Sequence, residues 1–454
     1  MVKKEYEKKN SRLDPDVELH HSSSPKHQRP VLSTGTQPQK NSQIASTRAD
    51  SLSFRPRIAL YSPGMVGLGH TRRNLLIAQV LASSPLRPVI LMIAEAREAS
   101  SFNLPPGTDL LTLPALYKDG NEECKPRYLD LPVEEVSGLR RNTIQAALAA
   151  FKPDAFIVDH LPRGALQELN PSLAYLRSRR HTYCILGLRD VLDDPTITNH
   201  KWRDSRNEEA IRAYFDAVWV YGDPGVFDLK NQYGFSPDIR RKMQYLGYLD
   251  QRVRLQFAQE DKTDSLLDSL GLPPGQLLLC TLGGGQDGAR LAEAFAFADL
   301  PAGMNGVILT GPFMPKKIRE NLRRHTNQTS QKRVLDFIAE PVSLLRRADR
   351  VVGMGGYNTT CEVLSFEKPA LIVPRVRPGQ EQWIRAERLH ALGLIDVLHP
   401  DQLNPDSLSS WLAQEINPPT GSRERIDLDG LSHLYWLVRE ALAAHPDPGR
   451  QFFH

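Results

Sequence analysis

From Pro56 onward, short apolar runs without strict alternation recur at 57–62 (RIALYS), 88–94 (PVILMIA), 155–159 (AFIVD), 182–188 (TYCILGL), 217–222 (AVWVYG) and 243–248 (MQYLGY). Runs of this kind suit strands buried on both faces, and helical spacing between them, as at 71–82, implies a parallel sheet of βα units. The stretch 251–276 is polar and charged and ends in Leu272-Pro273-Pro274-Gly275, a strong break signal. After it the alternation restarts at 277–282 (LLLCTL), 306–311 (GVILTG), 333–338 (RVLDFI), 350–354 (RVVGM) and 369–374 (PALIVP). A helix is expected over 383–392, stopped by Gly393, and another over 431–444 that closes on one half or the other. The expected fold class is therefore α/β, with two Rossmann-like parallel-sheet domains facing one another across a cleft.

Composition changes this picture only at the ends. Residues 1–54 are rich in Ser, Gln, Lys, His and Pro and lack apolar periodicity, so a disordered polar tail is expected there. The domains are then 55–250, 251–425 and a C-terminal helix and tail at 426–454. Nine Lys/Arg against six Asp/Glu give the tail +3 of the chain's net +4, leaving the body close to neutral. That excludes an electrostatic case for nucleic-acid binding. Four cysteines without CxxC spacing suggest neither a disulfide framework nor a zinc site. No apolar run approaches the ~18 residues of a membrane span, and MVKKEYEKKN lacks a secretory core, so a cytoplasmic location is expected. The basic stretches Arg140-Arg141 and 177–180 leave a peripheral contact with the inner face of the membrane open, against the blander reading as solvated helix ends.

Ligands of open parallel sheets gather beyond the carboxyl ends of the strands, so the strand-to-helix turns carry the candidate chemistry. The first turn, 62–70 (SPGMVGLGH), has Gly64, Gly67 and Gly69 before His70. With Glu95 near the end of the second strand, the turn alone also fits a dinucleotide site. His70 is either a helix-start packing residue or a general base. Asp159 ends a buried strand and either caps the next turn or orients His70. In the second half, Gly283, Gly284 and Gly285 lie between strand and helix, where backbone amides and the helix start suit a diphosphate. Further on, Gly355 and Gly356 precede Thr359, Thr360 and Glu362. Thr359 and Glu362 have capping-box spacing, while Glu362 could instead accept both hydroxyls of a ribose. Glu381 and Gln382 open the next helix, where they could meet sugar hydroxyls.

The ordered set Ala348-Asp349, Val351-Val352, Met354-Gly355-Gly356-Tyr357-Asn358-Thr359-Thr360 and Glu362, followed by 369–374 and Glu381-Gln382, resembles the donor site of GT-B glycosyltransferases. It is similar to the family 28-like group that includes the lipid-linked N-acetylglucosaminyltransferase of peptidoglycan synthesis. The Gly283–Gly288 loop is similar to the family's GGSxG loop, and Gly67–His70 to its GxGH turn. The resemblance covers roughly residues 56–415. It implies a GT-B fold with an acceptor-side first domain, carrying the Gly67 and Gly69 loop, and a donor-side second domain. It also implies that Glu362 binds ribose and that the glycines and Thr359/Thr360 line the diphosphate. Ile338 would present backbone to the nucleobase, Glu381 and Gln382 would read the sugar, and His70 with Asp159 would deprotonate an acceptor hydroxyl. The implied reaction moves a hexose-type sugar from a nucleoside diphosphate sugar, such as a UDP-sugar, with inversion; the acceptor is lipid-linked, a saccharide or a small molecule. No cofactor is implied, and no metal, since Asp-x-Asp occurs only at Asp427-Leu428-Asp429. Two departures stand out: Gly285 replaces the family's Ser, and Arg385 the Asn that follows the sugar-loop Gln. Alternatives are a nucleotide-sugar 2-epimerase on this scaffold and a non-catalytic nucleotide-sugar-binding protein.

Overall fold

The computed structural model describes residues 55–64, 68–95, 102–118, 123–416, 418–419 and 421–444; the expected tail 1–54 and Gly67 lie outside them. The first sheet is made of β1 (Arg57–Tyr61), β2 (Val89–Ala94), β3 (Thr108–Thr112), β6 (Ala155–Asp159), β7 (Tyr183–Arg189), β8 (Ala217–Tyr221) and β9 (Met243–Tyr245). A separate antiparallel hairpin pairs β4 (Leu116–Lys118) with β5 (Cys124–Pro126). The second sheet is made of β10 (Gln276–Thr281), β11 (Met304–Leu309), β12 (Lys332–Leu335), β13 (Arg350–Gly353), β14 (Ala370–Ile372) and β15 (Asp396–Val397).

Both large sheets are parallel throughout. Their strand orders are β3-β2-β1-β6-β7-β8-β9 and β12-β11-β10-β13-β14-β15. In each, the chain starts in the middle, runs to one edge, then returns to the other side of its first strand. This reversal opens a crevice at the carboxyl ends, between β1 and β6 in one sheet and between β10 and β13 in the other. The central strands are apolar because helices cover both faces: β6 and β8 are buried along their whole length.

The sequence did not point to β3 (TDLLT), whose part-exposed pattern belongs to an edge, nor to the two-residue β15. The helix Val133–Phe151 was also not foreseen; it starts at Pro132 with Glu134 and Glu135 in its first turn, a favourable charge placement at a helix start. The closing helix Gly430–Ala444 packs on the first-sheet side, against helix Gly69–Ser83 and β6. Leu434 and Val438 are fully buried there, and His433 Nδ1 lies 2.7 Å from the Leu246 carbonyl. The chain therefore passes between the two sheets twice, once after β9 and once at Asp427–Gly430, where the Tyr248 amide bonds the Asp427 carbonyl.

One contact between the sheets was not foreseen. Arg385, on helix Glu381–Ala391, makes a buried pair with Asp190 just past β7, with Nη2 2.6 Å and Nε 2.8 Å from the carboxylate. The same guanidinium donates to the Gly355 carbonyl (3.2 Å), and Asp190 also accepts from the Tyr248 hydroxyl (2.8 Å). Arg385 is thus a structural tie, and its fork could not be exchanged for the shorter Asn of the family pattern without depriving the Asp190 carboxylate of its cation. Arg140 corrects a second expectation. It is fully buried between Glu95 (2.8 Å) and Glu168 (2.5 Å), so it does not face lipid headgroups.

Candidate functional site

The two crevices face a common cavity of about 450 Å3. From the first half come Gly69, His70, Arg72, Arg73, His160 and Arg189; from the second come Gly283–Gly285, Ile338, Gly356, Thr359, Glu362, Glu381 and Gln382. Most of the residues singled out from the sequence thus meet in one place, across the two sheets. The exceptions are Asp159, which is fully buried behind His70, and Gly355 and Thr360, which do not line the cavity. The Thr360 hydroxyl is spent on the Gly355 carbonyl (3.3 Å).

His70 stands at the start of helix Gly69–Ser83, beyond β1, and Asp159 closes β6 next to it. Their parallel pairing brings His70 Nδ1 to 2.8 Å from Asp159 Oδ2. Asp159 therefore does not merely cap a turn. Arg73 completes the group: its Nη2 lies 2.7 and 2.6 Å from the two Asp159 oxygens and 3.0 Å from His70 Nδ1. Arginine cannot accept, so its hydrogens go to the carboxylate and the His70 Nδ1 hydrogen goes to Asp159 Oδ2. Nε2 then carries the lone pair, as a proton acceptor requires. Burial, opposed by Asp159 and reinforced by Arg73 and Arg189, holds the His70 pKa below its usual value. Asp159 stays ionised well below the normal carboxylate range; burial opposes this, but Arg73 and His70 outweigh it.

On the other wall, the Gly283–Gly285 turn follows β10. Gly285 has φ +89°, and a Cβ there would stand 2.1 Å from the Thr310 carbonyl oxygen. Serine does not fit, which accounts for the departure from the family pattern. The Gly285 amide is tied to the Leu282 carbonyl (3.0 Å). The donors left for an anion are those of Gly283, Gly284 and the first turn of helix Ala289–Phe297. Asp287 does not cap that helix; it pairs with Arg375 (2.9 Å).

Glu362 lies inside helix Tyr357–Ser365, whose N-cap is Gly356 without a side-chain cap, so the capping box is not formed. Instead Glu362 accepts from Arg254 Nη1 (2.6 Å), while Arg254 Nη2 pairs with Glu340 (2.5 Å). The Ile338 carbonyl accepts from Arg72 Nη2 (3.2 Å), and the Gly69 carbonyl from Asn358 (2.9 Å), both across the cleft. Glu381 pairs with Arg375 (2.8 Å), and Gln382 accepts from the Arg375 amide (2.9 Å). Although burial raises the Glu381 pKa, Arg189, Arg375 and Arg385 hold it below normal.

Sequence reasoning missed the arginines Arg72, Arg73, Arg189 and Arg254, together with His160. A signal existed for two of them. Arg73 is three residues after His70 on the same helix, hence on the same face. Arg189 ends β7 as Asp159 ends the neighbouring β6.

Known proteins resemble the chain in sequence and in fold. Residues 282–427 match the Glycosyltransferase family 28 C-terminal domain. The chain is 26% identical over 160 residues to the UDP-N-acetylglucosamine--N-acetylmuramyl-(pentapeptide) pyrophosphoryl-undecaprenol N-acetylglucosamine transferase of Caulobacter vibrioides, covering 34% of this chain and 44% of that protein. The match thus spans less than half the length of that relative. Among solved structures, the calicheamicin glycosyltransferase CalG4 is similar with a TM-score of 0.53 and 16% identity, over 87% of this chain and 100% of that one. A putative UDP-N-acetylglucosamine 2-epimerase from Listeria monocytogenes is similar with a TM-score of 0.55 and 14% identity, over 88% and 100%. At such identities the likeness is one of fold. Residues 282–427 are therefore similar to a glycosyltransferase family 28 C-terminal domain, within a chain that has the GT-B fold.

Proposed function

We propose that the protein is a GT-B glycosyltransferase that moves a hexose-type sugar from a nucleoside diphosphate sugar, with UDP as the nucleotide, to an acceptor hydroxyl. The observation that carries this reading is the His70–Asp159 pair facing Gly283–Gly285, Glu362, Glu381 and Gln382 across one cavity. In this reading residues 55–250 form the acceptor side and 251–425 the donor side. His70 Nε2 takes the proton of the acceptor hydroxyl as its oxygen attacks the anomeric carbon, and the bond to the diphosphate breaks on the opposite face, inverting the centre. Asp159 stabilises the imidazolium that forms.

The departing diphosphate is met by the Gly283 and Gly284 amides and the start of helix Ala289–Phe297, without a metal ion. Glu362, held by Arg254, takes the ribose; Ile338 faces the base; Glu381 and Gln382 take the sugar. Among the described residues no helix is long and apolar enough to cross a membrane. A lipid-linked acceptor fits the Caulobacter relative's printed name, and such an acceptor would call for a peripheral site at the inner face of the membrane.

A thermal-shift screen of nucleotides and nucleotide-sugars tests the donor half, since a ligand bound at 100 times its Kd stabilises by about 2.7 kcal/mol. UDP is expected to raise the melting temperature; a preference for another base would replace the uracil assignment. Incubation with a donor sugar tests the reaction. Free nucleotide should appear only when an acceptor is added. A change of sugar configuration without any acceptor would identify an epimerase instead.

A further inference from the structure

Arg189 closes β7 and lines the cavity near His70, yet among the described residues no carboxylate pairs with it. Its one polar contact is from Nη2 to His160 Nε2, at 3.4 Å. Its Nε is shielded from solvent and has no partner. Since the guanidinium only donates, His160 Nε2 is the acceptor in that contact, and the proton of the neutral ring sits on Nδ1. That Nδ1 is also buried and without a partner. Burial, with Arg189 as the next contribution, keeps His160 neutral well below the usual histidine value. Two buried donors, one of them on a cation, are thus left without an acceptor in the same corner. Each carries an uncompensated desolvation cost as long as it stays that way in the working protein.

The corner lies at the reacting end of the cavity. The His160 ring centroid is 5.4 Å from that of His70, and Glu381 is the carboxylate that acts most strongly on the Arg189 charge. The nucleoside end is served by different cations, Arg72 at Ile338 and Arg254 at Glu362.

We propose that Arg189 and His160 form a subsite for a carboxylate or phosphate group carried by the sugar being transferred or by the acceptor, beside the His70 base. The proposal rests on the glycosyltransferase reading and narrows its substrate to an anionic one. A guanidinium matches both groups through paired N–H donors, and His160 Nδ1–H supplies a third.

Calorimetric titration of the full chain and of Arg189→Met tests it in two arms. The donor arm compares UDP-glucuronate with UDP-glucose, with UDP alone as the reference. The acceptor arm compares N-acetylglucosamine 1-phosphate with N-acetylglucosamine by ligand-observed NMR, with and without UDP. In one arm the anionic member should bind at least about tenfold tighter than the neutral one. Arg189→Met should erase that difference and leave UDP affinity unchanged, and Arg189→Lys should restore part of it. The arm that responds identifies which substrate carries the anion. No discrimination in either arm overturns the subsite. So does an Arg189→Met protein that loses UDP affinity to the same extent, because the arginine would then serve the diphosphate. Failure of UDP to bind either protein would count against the donor assignment, while the acceptor arm without nucleotide still decides the subsite.

Discussion

Arg385→Met removes the cation from the tie between helix Glu381–Ala391 and the end of β7. In the native protein Arg385 Nε reaches both Asp190 oxygens (3.0 and 2.8 Å) and Nη2 reaches one (2.6 Å), with both side chains at most 1% exposed. Without the guanidinium, the carboxylate keeps only the Tyr248 hydroxyl and the Val191 amide, each at 2.8 Å. Deleting one member of a buried pair costs about 3–5 kcal/mol, because the other charge stays in the interior. The Gly355 carbonyl also loses its Arg385 donor, adding about 1 kcal/mol and pointing to the upper part of that range. Adding Asp190→Asn removes the stranded charge and should recover about 2 kcal/mol, a non-additive result expected only of a coupled pair.

Urea unfolding followed by tryptophan fluorescence measures this through the midpoint at unchanged slope. A loss under about 1 kcal/mol at pH 7, or a double variant no more stable than Arg385→Met, would refute the argument.

Three further outcomes are expected. His70→Ala should lower kcat on the order of 10²–10⁴-fold while leaving nucleotide binding intact in a thermal-shift titration; unchanged turnover would remove His70 from the mechanism. Gly285→Ala should weaken nucleotide binding and cost more than ~1 kcal/mol of stability, because a methyl group at φ +89° meets the Thr310 carbonyl; an unchanged melting temperature would contradict that clash. Burial holds the proton affinities of His70 and His160 below normal, so kcat/KM should stay level as pH falls through ~6.5. Stability should begin to drop below that same point, because the unfolded chain binds these protons more readily; a kcat/KM that falls with an ordinary histidine profile would show His70 to be less buried than it is here.

Much of the architecture could be read from the sequence because strands covered on both faces declare themselves as unbroken apolar runs, as at AFIVD and AVWVY. Edge elements did not, since β3 keeps polar residues on its open side. The glycines of the candidate site were legible because they sit in turns fixed by local geometry, and Glu362 and Glu381 because they follow such turns on the next helix. The arginines were not. Arg254, Arg189 and Arg385 act across 108, 29 and 195 residues of chain, on Glu362, His160 and Asp190, and no local pattern encodes those partners. Asp159 was found but its full setting was not: Arg73, which shares its carboxylate with His70, looked like any basic residue on a helix.

The return of the chain at Asp427–Gly430 bears on how the protein can be divided. Helix Gly430–Ala444 backs the very helix that carries His70, so the first-sheet half is not one continuous stretch of sequence. A fragment cut at the linker after β9 would present the apolar face once covered by Leu434, Val438 and Leu442 to water, and would tend to associate or loosen. The second-sheet half has its start and finish side by side and could be excised as a loop. In genetic terms, the second-sheet half is an insertion within the first-sheet half, and exchanging it between relatives needs two junctions rather than one.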